Sequence, residues 1–513
     1  MSSASARDEV KRPTERPDQT AQPEDVLLDL AALASLVSPA FMQDSRILPL
    51  ALTPEMLAVA MTPPIDQTLV EALEMAAGRP VTVVSQDEES VRSGLDRLFS
   101  GGKSVLQRIV EDLAPENAEE DVDRLKDLAS EAPVVRLVSH LIEEAIRARA
   151  SDIHIEPFPD RLAVRFRIDG VLRDQPSPPV SLARAMVSRI KILANLNIAE
   201  RRLPQDGRVA QAVQGHALDL RVSTVPTVHG ESVVIRLLDQ SAGLRQLSEL
   251  GLREQDEERI RRLMDLPNGI VLVTGPTGSG KTTTLYTALQ LIDATQRKVL
   301  TIEDPVEYHM ARVNQIQVKP QIGLTFATIL RSLVRQDPDV IMVGEMRDAE
   351  TADIAVHAAL TGHLVLSTLH TNSAAGAITR LIDMGIEPFL LTSTLRAVIG
   401  QRLVRTLCPH CKRARSASPE EKTALDPLPM LTLYHAVGCP ACGQTGYLGR
   451  VGLFEVMPMS DSLRDLALAR AGSDALDRSA REEGMQSLLE DGLGKVRQGL
   501  TTLEEVRRVV ELS

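Results

Sequence analysis

The run Gly275-Pro276-Thr277-Gly278-Ser279-Gly280-Lys281-Thr282 carries the residue types that a polyphosphate needs, at the spacing G-x-x-x-x-G-K-[ST]. Its glycines let successive backbone N–H groups turn toward phosphate oxygens, and Lys281 is long enough to reach the β- and γ-phosphates of ATP. The Thr282 hydroxyl is a ligand for Mg²⁺, and Thr283 completes the nucleotide-binding set. Two acidic clusters follow apolar runs further on: Glu303-Asp304-Pro305-Val306-Glu307, and Gly344-Glu345-Met346-Arg347-Asp348 preceded by Arg335-Gln336-Asp337-Pro338-Asp339. A carboxylate just past a strand holds the Mg²⁺ shell or polarises the attacking water. Glu345 is the candidate that activates water and Glu303 the candidate that supports the metal and water network; helix capping is the plainer role for either. His363 and His370 bracket Leu364–Leu369. A lone histidine is commonly structural, but two flanking a strand directed at the phosphate site make both candidate γ-phosphate sensors.

All four cysteines fall in two pairs, Cys408-x₂-Cys411 and Cys439-x₂-Cys442, separated by 27 residues. Two thiolate pairs suit tetrahedral Zn²⁺, and closed Cys₄ ligation is structural rather than catalytic.

These groups need elements to hold them. Ile270-Val271-Leu272-Val273 is a short apolar run, while Leu285, Ala288, Leu289 and Ile292 recur at helical spacing, so a strand feeds the glycine loop and the loop opens a helix. The strands of this module are expected at Gly269–Val273, Lys298–Ile302, Val340–Val343 and Leu364–Thr368, separated by helix-length segments. Near-continuous apolar strands so spaced imply a parallel sheet covered on both faces, with its ligand at the carboxyl ends of the strands.

Length and composition set the frame. A chain of 513 residues is expected to hold about three or four domains. Aromatics are 2% and Trp is absent, so the cores must rest on aliphatic side chains and Met. The net charge of −13 weighs against a nucleic-acid partner. No run approaches the ~18 apolar residues of a membrane span and the start lacks a secretory signal, so the expected compartment is the cytosol. Along the chain we expect a polar tail (1–25), a small α/β docking module (26–100), an acidic linker (101–132), a second α/β module (133–246), the phosphate-binding module (250–402), a zinc element (403–450) and a C-terminal helical region (451–513). In the second module Leu162, Val164, Phe166 and Ile168 alternate with Ala163, Arg165, Arg167 and Asp169, one face core and the other charged. Arg208, Arg221 and Arg236 recur there and suggest a surface that faces phosphate or a neighbouring subunit.

As a set, GPTGSGKT (275–282), TIEDPVE (301–307), RQDPDVIMVGEMRD (335–348), TGHLVLSTLHTN (361–372), SDIHIEP (151–157), LPQDGR (203–208) and the cysteine pairs resemble the secretion ATPases, specifically the E component of type II secretion systems. The resemblance spans residue 133 to the C-terminus. It implies an α/β fold: a RecA-like P-loop ATPase domain with a preceding α/β domain, an N-terminal docking domain and a C-terminal Cys₄ zinc element. It also implies a homo-hexamer using ATP, Mg²⁺ and Zn²⁺, in which Arg221 and Arg236 reach the nucleotide and Arg331 and Arg335 lie near a subunit boundary. The implied partners are inner-membrane platform proteins, the cytoplasmic domain of the L component and the polytopic F component. Location would be cytoplasmic and peripheral to the inner membrane, and hydrolysis would drive assembly of a pseudopilus for secretion across the outer membrane. Ser232 stands where relatives often carry lysine, and residues 1–100 lack the Arg-Leu-Gly-x-x-Leu elements of relatives that bind cyclic di-GMP. The alternatives are a type IV pilus extension ATPase, a DNA-translocating ATPase, and a nucleotide-regulated scaffold with negligible turnover.

Overall fold

A computed structural model describes Met42, residues 45–91 and residues 132–510, except 54–55, 89, 214–215, 240–242, 244, 420 and 422–431. The expected tail and nearly all of the expected linker lie outside the described residues. The chain divides into two compact units, Met1–Ala114 and Pro115–Ser513. Among the described residues no helix is long and apolar enough to cross a membrane.

In the first unit, β1 (Leu48–Leu52) pairs antiparallel with β2 (Leu57–Met61), and β2 pairs parallel with β3 (Val81–Ser85). The helix between them, α1 (Gln67–Ala77), starts where the Asp66 side chain accepts the Thr68 N–H and stops at Gly78, φ 62°. Met42, Ile47, Leu57, Val59, Met61 and Leu73 close a small core on one side of this sheet.

The second unit opens with α2 (Ala132–Arg147), which packs on β4 (Ala150–Pro157). The hairpin of β5 (Leu162–Ile168) and β6 (Val171–Gln175) turns at Asp169-Gly170, both at positive φ, 49° and 86°, as a tight two-residue turn requires. Leu162, Val164 and Phe166 of β5 are buried, which is the expected core face. After α3 (Ala183–Leu193) come β7 (Gln205–Val213), β8 (His216–Thr227) and β9 (Gly230–Asp239), completing a six-stranded antiparallel sheet ordered β6-β5-β4-β9-β8-β7.

The larger sheet follows α4 (Glu254–Met264). It comprises β10 (Gly269–Thr274), then α5 (Lys281–Leu289), β11 (Val299–Glu303), β12 (Asn314–Gln317), α6 (Phe326–Leu333), β13 (Val340–Val343), α7 (Ala349–Leu360), β14 (Leu364–Leu369), α8 (Ala374–Asp383) and β15 (Leu395–Leu407). A two-stranded hairpin, β16 (Arg413–Ser416) and β17 (Thr432–His435), intervenes before β18 (Tyr447–Pro458). The order is β12-β11-β13-β14-β10-β15-β18, parallel except for β18. Alternate residues of one strand enter different cores: Ile270 and Leu272 pack with α6, α7 and α8, Val271 and Val273 with α4 and α5. Both faces are therefore covered, which is why these strands read as unbroken apolar runs.

Three strands of this sheet depart from expectation. β12 is Asn-Gln-Ile-Gln at the sheet edge and has no apolar signal. β15 continues past 402, and β18 occupies the junction of the expected zinc element and helical region, so residues 451–458 are strand rather than helix. Helices do fill most of 461–509, but β18 buries Leu453, Phe454, Val456 and Met457 in the sheet, a demand that only tertiary pairing with β15 reveals.

Candidate functional site

The phosphate-loop motif leaves the carboxyl end of β10, an interior strand with four strands on one side of it and two on the other in sheet order. Two glycines answer to a steric cause. A Cβ on Gly275 would collide with the carbonyl oxygen of Gln401, and one on Gly280, φ 89°, would lie 2.9 Å from the Gln401 Nε2. Gln401 is buried on β15 and its Oε1 accepts the Thr284 hydroxyl at 2.7 Å, so it supports the loop and first helical turn from below. A polar residue inside the apolar strand Val398–Val404 was the signal that could have drawn attention to it.

Lys281 is buried, and its Nζ donates to the carbonyl oxygens of Gly275 at 2.8 Å and Pro276 at 3.0 Å. Burial pulls its pKa down to about 8, and the charge of Glu345 acts against that. The Ser279 hydroxyl in the same loop is buried without a hydrogen-bond partner among the described residues. A loop that curls its lysine onto its own carbonyls and leaves a buried hydroxyl unpaired fits a phosphate, which would take the lysine's donors and the hydroxyl together.

Glu345 follows β13, with its side chain largely buried. It pairs with Arg347, and its Oε2 stands 3.4 Å from His370 Nε2. Met346 N–H donates to Thr368 O at 3.0 Å, tying this turn to the end of β14. Next to it, Thr274 Oγ1 and Thr371 Oγ1 are 2.6 Å apart, so the loop after β14 is bonded to the end of β10. Glu303 ends β11 and is almost fully buried. Its oxygens are engaged by the hydroxyls of Tyr286 and Thr301 and by Gln315 Nε2.

The structure separates the two histidines. His370 lies at the carboxyl end of β14 beside Glu345, whereas His363 precedes the amino end and its Nδ1 contacts Ala358 O at 2.7 Å. Their seven-residue separation along an extended strand is about 20 Å. The expectation that both sense a γ-phosphate therefore fails for His363, because a strand puts its two ends on opposite edges of the sheet.

The arginines of the smaller sheet form a row. Arg208 is opposite Arg221, Arg221 opposite Arg236, Arg236 opposite Asp152, and Asp152 opposite Arg167. Residues directly opposite share a face, so four guanidinium groups and one carboxylate cross five strands in one line. Arg236 Nε donates to Asp152 Oδ1 at 3.0 Å. Arg221 Nε is 3.6 Å from Asp219 Oδ2, and among the described residues its buried Nε and Nη2 have no hydrogen bond. Two members of the row act on the loop after β11: burial raises the pKa of Glu307 while the charges of Arg221 and Arg236 oppose the rise. Buried unpaired guanidinium donors beside the loop after β11 are what a bound anion would satisfy.

The four cysteine sulfurs lie within 4.8 Å of one another. Cys408–Cys439 and Cys411–Cys442 are 3.8 Å apart and Cys439–Cys442 3.7 Å. A tetrahedron with Zn–S bonds of about 2.3 Å has edges of about 3.8 Å, so the donor set fits Zn²⁺. Burial pushes the Cys442 thiol up, but the N–H groups of Cys439 and Gly446 outweigh it and bring the thiol down to about 6. Cys442 thus favours thiolate, the ligating form, whereas burial pushes the Cys411 thiol up to about 11.

Residues 127–508 match the family described as type II/IV secretion system protein, and residues 19–105 match the MshEN domain. A type II secretion system protein E of Xanthomonas campestris pv. campestris is 52% identical over 454 residues, 87% of this chain and 80% of that protein. A type IV pilus assembly ATPase PilB of Myxococcus xanthus is 46% identical, over 88% of this chain and 81% of that protein. Among solved structures, the pilus retraction motor PilT with bound ADP superposes with a TM-score of 0.51 at 27% identity, covering 73% of this chain and 96% of that one.

Proposed function

The chain belongs to the type II/IV secretion system protein family and is an ATP-hydrolysing enzyme of it; from that premise we propose that it is the component E motor of a type II secretion system, using ATP to assemble a pseudopilus. The observation that carries this reading is the placement of Lys281, within its loop, and Glu345, in contact with His370, at one end of the parallel sheet, with Arg221 of the smaller sheet keeping two buried donors that have no hydrogen bond among the described residues.

Residues 275–283 would hold the phosphates of ATP, with Thr282 on Mg²⁺, an ion that screens phosphate charge and fixes the attacking geometry. Glu345 is the residue to accept the water proton, with His370 and Arg347 orienting it, and Glu303 supports the network from the adjacent strand. Arg221 and Arg236 belong to a different sheet from the loop, so closing that sheet on the nucleotide would satisfy Arg221's donors and turn hydrolysis into domain movement. The finer division of the chain follows this scheme: docking module, arginine-bearing domain, ATPase domain and zinc element, the last held by Cys408, Cys411, Cys439 and Cys442 on Zn²⁺. A hexameric ring docked through its N-terminal module on the L and F components at the cytoplasmic face of the inner membrane completes the proposal. No nucleic acid is part of it.

The test is Mg²⁺-dependent phosphate release by the assembled full chain, together with restoration of exoprotein secretion in a host lacking its own E component. Turnover without restored secretion, but with restored piliation in a pilus-assembly mutant, would move the protein to the pilus reading that the 46% identical relative keeps open.

A further inference from the structure

The hydroxyl of Tyr286 sits where three parts of the ATPase domain meet. Tyr286 lies on α5, five residues past Lys281, and is fully buried. Its hydroxyl donates to Glu303 Oε2 and accepts the backbone N–H groups of Glu307 and Tyr308, each at 3.3 Å. Its ring meets that of Tyr308 edge-on, centroids 5.6 Å apart. The other Glu303 oxygen accepts Thr301 Oγ1 at 2.5 Å and Gln315 Nε2 at 3.1 Å.

Packing alone does not call for that oxygen. A phenylalanine would fill the same volume without a polar group to desolvate, and burial of a hydroxyl is tolerated only when it is bonded. Here one oxygen saturates three partners on two segments: the carboxylate ending β11, and the 304–308 loop whose Glu307 faces Arg221 and Arg236. Remove it and Oε2 of Glu303 loses its only hydroxyl donor among the described residues, while two N–H groups lose this acceptor. Glu303 is then held on one side, and the loop is no longer registered to the helix that begins at Lys281.

We propose that Tyr286 is a positioning residue for ATP hydrolysis, its hydroxyl setting the Glu303 carboxylate and the 304–308 loop against the phosphate-loop helix. The proposal rests on the reading of Glu303 as support of the metal and water network. Tyr286 reaches no phosphate itself, since it lies about one and a half helical turns beyond Lys281. Its effect should therefore fall on the chemical step and not on nucleotide binding.

The experiment measures steady-state ATPase of the full-length assembled protein for Tyr286→Phe, Glu303→Gln and the double variant. Tyr286→Phe should lower kcat about tenfold or more, with KM for ATP within about twofold, because small misplacements of supporting groups cost rate. In the Glu303→Gln background the same change should alter kcat by less than about twofold, since residues acting through one contact are not additive. A Tyr286→Phe variant with wild-type kcat, a parallel change in kcat and KM, or an equal loss in both backgrounds overturns the proposal. Glu303→Gln at full activity while Tyr286→Phe is slow rejects the reading of Glu303; Glu303→Gln slow with Tyr286→Phe normal rejects the proposal alone. Should Tyr286→Phe fail to fold, Thr301→Val, which removes the opposite hydroxyl from the same carboxylate, must give the selective loss in kcat, and wild-type kcat there refutes the positioning role.

Discussion

Lys281 gives the phosphate site a measurable pH dependence. In the free site its ammonium has two carbonyl oxygens for partners, and burial brings its pKa from the ordinary 10.5 down to about 8. A bound polyphosphate places negative charge against it and returns the pKa at least to its ordinary range. The free-site pKa is then the lower of the two. Binding takes up a proton wherever the free site has lost one, and affinity is full below about pH 8 and falls as pH rises through it. The protonated fraction drops from about nine-tenths at pH 7 to about one-half at pH 8 and about one-tenth at pH 9. The ATP dissociation constant should consequently rise about tenfold, or about 1.4 kcal/mol, between pH 7 and pH 9. Isothermal titration calorimetry in two buffers of different ionisation enthalpy reads the linkage directly. We expect uptake of about half a proton per ATP at pH 8 and about 0.9 at pH 9, and none in Lys281→Met. A terminal phosphate with its second pKa near 6 is about nine-tenths ionised at pH 7 and essentially fully so at pH 8 and 9, so the proton taken up there belongs to the protein. Unchanged affinity from pH 7 to 9, or equal proton uptake by Lys281→Met, would refute the reasoning.

Other perturbations separate the remaining roles. Glu345→Gln should bind ATP normally yet hydrolyse it about 10²–10⁴-fold more slowly in single-turnover assays, and wild-type turnover would remove it as the proton acceptor. Arg221→Ala should lower kcat on the order of 10²-fold with little loss of ATP affinity, while wild-type activity per subunit should rise with protein concentration as the ring forms; a loss confined to binding would contradict domain closure over the nucleotide. Protein purified without chelator should contain about one Zn²⁺ per chain, and Cys442→Ser should lose it and loosen residues 408–412 and 438–446 in hydrogen exchange while the phosphate loop stays protected. Zinc-free protein with an unaltered exchange pattern would reject the metal site.

Much of the site was legible because its signals are local. A phosphate loop, the strand before it and the helix after it are contiguous, so residue types over some twenty positions determine them, and the paired cysteines likewise declare one donor set. The parallel sheet was readable from β10, β11, β13 and β14, whose burial on both faces leaves apolar runs. β12 was not readable, because an edge strand of Asn, Gln and Ile meets no such demand. β15 and β18 were obscured by the cysteine element inserted between them.

The chain's own order of residues thus determined that a phosphate loop, acidic strand ends and a thiolate cluster exist. Tertiary structure decided which polar groups share a place. Spacing alone made His363 and His370 equivalent, and sheet direction put only the second beside Glu345. Spacing showed scattered arginines, and strand register aligned Arg208, Arg221, Arg236 and Arg167 across five strands. Nothing in the run Leu285-Tyr286-Thr287 distinguishes a core aromatic from a hydroxyl that joins α5 to Glu303 and the loop beyond it. The physical reason is common to all three: a motif is a property of neighbours along the chain, whereas register, strand direction and shared hydrogen bonds are set by which distant segments bury their apolar faces together.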